Sequence, residues 1–69
     1  MQYFLKTEHS YIGYGLVYKF PFMFGTWEWS DQNNIFLFKN IRTCQYAKID
    51  LYNRGYIDMN ETQIKIHEG

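Results

Sequence analysis

Apolar and polar residues alternate with a period of two over most of the chain, which is the spacing of strands buried on one face. Gln2 to Thr7 reads as a first strand, closed by the polar cluster Glu8, His9, Ser10 and followed by the flexible stretch Ile12-Gly13-Tyr14-Gly15. From Tyr14 to Phe24 the even positions are Tyr14, Leu16, Tyr18, Phe20, Phe22 and Phe24, predicting a long strand with that face on the core. Pro21 donates no backbone hydrogen bond, so the second half of the run belongs at a sheet edge, at a bulge or beyond the paired region. Thr26 to Trp29 and Ile35 to Lys39 flank the turn formers Ser30 to Asn34 and predict a hairpin, with Trp27 and Trp29 on one side. Cys44 to Tyr52 and Tyr56 to Met59 predict a second hairpin, turning at Asn53-Arg54-Gly55, where Gly55 can supply a left-handed residue. Gln63 to His67 closes the chain as a last strand, with Ile64 and Ile66 inward.

This pattern predicts an all-β fold: a single domain spanning residues 1–69, with five or six short antiparallel strands in a small barrel of SH3-like or oligonucleotide-binding type, or in a curled sheet. Ile35 to Thr43 is the stretch that could carry one short helix instead, across the barrel mouth. Composition agrees, since Ala47 is the only alanine and aromatic and β-branched residues dominate the apolar set. A chain of 69 residues holds one core and no second domain. Cys44 is the only cysteine, so no intrachain disulfide reinforces that core, and a structural zinc spacing is absent. Aromatic burial has to stabilise it, and 22 % of the residues are Phe, Tyr or Trp. Phe, Tyr, Met, Ile, Asn and Lys make up 33 residues against 9 Gly, Ala, Arg and Pro, a bias expected of an AT-rich genome and common in phages and mobile elements.

Seven basic and seven acidic side chains cancel, and the cations are spread evenly, which argues against a nucleic-acid backbone as main partner. The start of the chain carries no export pattern and no stretch has the apolar length of a membrane span, so a cytoplasmic protein without membrane contact is expected. No phosphate loop, nucleophile elbow or metalloprotease helix is present, and no cofactor or metal is called for. His9 and His67, beside Glu8 and Glu68, could supply a base only if the terminal strands pair, and Cys44 reads as a small buried hydrophobe; the chain is expected not to be an enzyme.

The predicted second hairpin carries the candidate site. With Asn53-Arg54-Gly55 as its loop, Ala47, Ile49, Leu51, Ile57 and Met59 share an apolar face. Tyr46, Lys48, Asp50, Tyr52, Tyr56, Asp58 and Asn60 share the other, placing Asp50 directly across from Asp58, where like charges ask for a cation. Tyrosines flanking acids suit protein recognition. Tyr46, Asp50, Tyr52, Arg54, Tyr56 and Asp58, with Trp27 and Trp29 as further anchors, are therefore the candidate partner-binding residues. The segment Tyr52-Asn53-Arg54-Gly55-Tyr56-Ile57-Asp58-Met59-Asn60 resembles the strand-turn-strand of S1-type oligonucleotide-binding domains, in particular poxvirus decoys of the tRNA-carrying initiation factor. That resemblance implies a barrel and a pseudosubstrate of an antiviral kinase.

The function these features support is a protein-binding inhibitor of phage or mobile-element origin. It would occlude a basic functional surface of a host protein, in anti-defence roles such as anti-CRISPR activity or in host takeover. Two alternatives use the same residues differently. One is a single-stranded nucleic-acid binder with Trp27, Trp29 and tyrosines as stacking platforms; the other is a structural subunit whose strand edges pair in a homodimer.

Overall fold

The computed structural model describes residues 1–68. Four strands form one antiparallel sheet: β1 (Gln2–Lys6), β2 (Tyr11–Lys19), β3 (Phe22–Ser30) and β4 (Gln63–His67), in the order β3-β2-β1-β4. One helix, α1 (Ile41–Asn53), packs across β1. The fold described is thus mostly sheet with one short helix, as expected of an all-β chain that could carry one, but the helix spans Ile41–Asn53 and not Ile35 to Thr43. Of the barrel or curled sheet of five or six strands that was expected, the structure has an open sheet of four, with β3 and β4 at its edges.

The two terminal strands form where the alternation puts them. Gln2 pairs with His67, and the register runs through Leu5 with Ile64 to Lys6 with Gln63. Leu5 is fully buried on the face turned to α1, while Ile66, expected inward beside Ile64, is exposed at the end of the ladder. The β1–β2 pairing is brief, at Lys6 with Tyr11. Past that point β2 leaves β1, and the chain after β3 fills the opening: Phe36 N donates to Ile12 O (3.1 Å), and Phe38 and Tyr3 exchange backbone bonds of 2.7 and 2.8 Å. Ile35 to Lys39 therefore lies between β1 and β2 and makes no hairpin with Thr26 to Trp29, because β3 is already paired with β2 along its full length. The turn formers Ser30 to Asn34 do form a turn, a short 3₁₀ segment in which Asp31 Oδ1 accepts from Asn33 N at 2.9 Å.

The predicted single strand from Tyr14 to Phe24 is two strands. Pro21 lacks the N–H a ladder needs, so β2 ends at Lys19, Phe20 and Pro21 make a two-residue turn with a cis peptide bond, and β3 starts at Phe22. The even positions of that run are not core. Tyr14, Leu16, Tyr18, Phe20, Phe22 and Phe24 are all exposed, because the hairpin reaches past the part of the sheet that α1 covers.

The predicted hairpin from Cys44 to Met59 does not form. Asn40 caps a helix there: its side chain accepts from Arg42 N at 2.7 Å and its carbonyl from Thr43 Oγ1 at 2.7 Å. Cys44, Ala47 and Leu51, spaced three and four apart, are the residues α1 buries. The helix stops in a Schellman arrangement, with Gly55 N bonded to Tyr52 O, Tyr56 N bonded to Leu51 O (both 3.0 Å), and Gly55 at φ 81°. Gly55 has the left-handed conformation expected of it, but it ends a helix. The resemblance to an S1-type strand-turn-strand fails for the same reason, since Tyr52 and Asn53 are the last residues of α1. Leu5, Ile12, Phe38, Cys44, Ala47, Leu51 and Ile57 form the core between α1 and the sheet.

Candidate interaction surface

Directly opposed residues of β2 and β3 share a face, so Ile12, Tyr14, Leu16 and Tyr18 lie with Trp29, Trp27, Gly25 and Met23 on the side of α1. Near the body this face meets Phe36 and Phe38 in an aromatic cluster. Trp27 sits edge-on to Tyr14 (4.9 Å between ring centroids) and to Phe36 (5.5 Å), and tilted to Phe38 (5.6 Å), while Phe36 and Phe38 are 4.7 Å apart. Tyr14 lies over Gly25, where any Cβ would collide with its phenol. These rings floor an open groove of about 620 Å³ between the hairpin base and α1. The helix contributes Thr43, Tyr46, Ala47 and Asp50 to the other wall, and Lys39 stands at the rim.

Three of the eight residues singled out in the sequence, Trp27, Tyr46 and Asp50, thus face one groove. Trp27 is half-buried and completes the core, whereas Tyr46 is 72 % exposed. Trp29, Tyr56 and Asp58 lie around a second depression of about 280 Å³, beside Glu8, His9 and Glu61. Tyr52 and Arg54 are exposed and line neither. Asp50 and Asp58 are not a cross-strand pair. Asp50 is on α1, with Oδ2 at 3.2 Å from Nε of Arg54 one turn later, and Asp58 follows the helix, its Oδ1 accepting from Asn60 N at 2.8 Å. The cation that the acidic pair called for is supplied to Asp50 by Arg54, one turn on at the C-cap of α1.

Groups that could do covalent chemistry stand apart. Cys44 is fully buried, and that burial pushes its thiol up to about 11, with the charge of Lys48 opposing only in part. The terminal strands do pair, yet His67 lies opposite Gln2 while His9 follows Lys6, so the histidines sit at opposite ends of β1. Among the described residues, no cluster of three or more His, Cys, Asp or Glu side chains is placed to hold a metal ion. Nor is any helix among them long and apolar enough to cross a membrane.

Tyr14, Phe36 and Phe38 were not singled out in the sequence. The period-two spacing of Phe36 and Phe38 was visible, but nothing local shows that this segment lies beside β1 against Trp27. No protein-family model matches the chain, and it has no significant match among curated proteins or solved structures.

Proposed function

We propose that this chain is a non-enzymatic protein-binding module that seats an apolar side chain of another protein in the groove between α1 and the base of the β2–β3 hairpin. The observation that carries this is the aromatic floor of Tyr14, Trp27 and Phe36, backed by the buried Phe38 and left partly open to solvent beside an exposed Tyr46. Apolar walls with a few polar groups at the rim are the composition of a recognition pocket, and rigid rings bind at small entropic cost. Asp50 gives the rim a preference for a basic neighbour. Its contact with Arg54 is between side chains about half exposed, a kind of pair worth little in water, so a partner's Arg or Lys can displace it. A host protein occluded at a basic functional surface, as by a phage-encoded inhibitor, fits that chemistry. The zero formal charge supports a protein partner over a phosphate backbone.

Selection from a displayed library of random peptides tests the proposal. Enriched peptides should pair a large apolar residue with Arg or Lys, and Tyr46→Ala, a change at an exposed position, should weaken their binding by about tenfold. Binding indifferent to Tyr46→Ala, or no enrichment at all, defeats it. Quenching of tryptophan fluorescence by a single-stranded oligonucleotide at low salt would do the same in favour of nucleic acid.

A further inference from the structure

The outer half of the β2–β3 hairpin is the largest apolar surface on the molecule that neither the core nor the groove uses. Leu16, Val17, Tyr18, Phe20, Phe22, Met23 and Phe24 are between 41 and 86 % exposed. At about 200 Å² for each large side chain, they present on the order of 800 Å², divided between the two faces of the ribbon, with Val17, Phe22 and Phe24 on the face turned away from α1. Both edges of this ribbon are also open. Ile12 turns its carbonyl away from β3 to meet Phe36, so by alternation Tyr14, Leu16 and Tyr18 point their backbone groups to the same unoccupied side; β3 is itself a sheet edge.

The charges on the hairpin indicate what covers it. Between Tyr11 and Ser30 the only charged side chains are Lys19, next to the turn, and Glu28, near the base. The register puts both on the face turned away from α1, with Phe22 opposite Lys19 and the opposed Val17 and Phe24 between the two charges. Six residues along the ribbon separate them, about 20 Å, so they cannot pair within one chain. The opposed residues Leu16 and Gly25 lie midway, three positions from each charge. A two-fold axis at that level lays a second hairpin antiparallel on the first, bringing each Lys19 to the level of the partner's Glu28, whose carboxylate lies over Gly15.

We propose that the hairpin is a self-complementary dimerisation arm whose occupant is a second copy of this chain, with two reciprocal Lys19–Glu28 pairs setting the antiparallel register. The ends of the patch carry opposite charge while the chain as a whole is neutral, which favours a copy of itself laid antiparallel about a two-fold axis. This proposal stands on different residues from the groove, and Tyr46→Ala leaves it untouched.

Sedimentation velocity of the full chain, from sub-micromolar to hundred-micromolar concentration, is the test. The wild type should pass from monomer to dimer, and Lys19→Glu or Glu28→Lys should each weaken the dimer by tenfold or more. The doubly reversed chain, Lys19→Glu with Glu28→Lys, should recover it, since swapping both signs restores both pairs. Both positions are exposed, and circular dichroism of each variant checks the fold. A wild type that remains monomeric throughout overturns the proposal, as does a dimer indifferent to single reversal or a double variant that fails to recover. A monomer that floats with phosphatidylcholine vesicles also overturns it and assigns the arm to a lipid surface.

Discussion

The Cys44 thiol packs with Leu5, Ile12 and Leu51, and its environment fixes its chemistry. Burial raises its pKa from the ordinary 9.0 to about 11. The sign of the effect on stability follows from which state loses the proton first. Below about pH 9 the thiol is protonated folded and unfolded, and it adds no pH dependence; between about 9 and 11 the unfolded chain ionises while the folded one does not, so stability falls as pH rises. The loss from this one group should reach about 2 to 3 kcal/mol by about pH 11. Urea midpoints at about pH 8 and about pH 11 measure it, and Cys44→Ala should show a smaller drop by that amount while other groups titrate alike. Thr62 is the other buried group of note. It is 2 % exposed, and its Oγ1 has no hydrogen-bond partner among the described residues.

At the scale of elements, α1 depends on its two ends as much as on its buried stripe. Asn40 opens it and Gly55 closes it, and nothing lies within 4 Å of where a Cβ on Gly55 would stand. Gly55→Ala therefore creates no clash, and its cost is conformational only. The expected loss is about 1 kcal/mol, read as a lower urea midpoint with an unchanged slope. This helix is where the alternation misleads. Ala47, Ile49 and Leu51 satisfy a period of two, while Cys44, Ala47 and Leu51 satisfy a helical one, and both readings end at the same glycine. Ile49 separates them, since a strand would bury it and the helix leaves it 46 % exposed. The cap was legible: Asn40 precedes the first helical residue, and a three-residue hairpin loop and a Schellman stop both require a left-handed Gly55. β1 and β4 carry no such ambiguity, and their bounds were read to within a residue.

For the whole molecule, the sheet divides into a body and an arm. β1, β4 and α1 share the core with the first residues of β2, whereas the ribbon beyond Gly13 has no element over it. Such a ribbon opens at lower free energy than the core it projects from. In the Lys19→Glu chain, amides of the outer hairpin should exchange by local opening, with much less protection than those of Leu5 and Leu51, which should need global unfolding. Hydrogen exchange resolved by residue measures this, and equal protection along β2 would contradict it. The division was hidden in the sequence because aromatic alternation looks the same whether or not a layer exists to cover it. How much of a 9-residue strand a 13-residue helix can shield depends on where the helix crosses, and that depends on contacts between residues far apart in the chain.

The pairing of Gln2 with His67 also sets an order of assembly. A chain emerging from the ribosome completes the ribbon early, because β2 and β3 meet across two residues, but β1 waits for its outer neighbour until the last strand has been made. The stretch richest in exposed apolar side chains is therefore made before the body that carries it is complete, and in that interval it is the part of the nascent chain most open to aggregation.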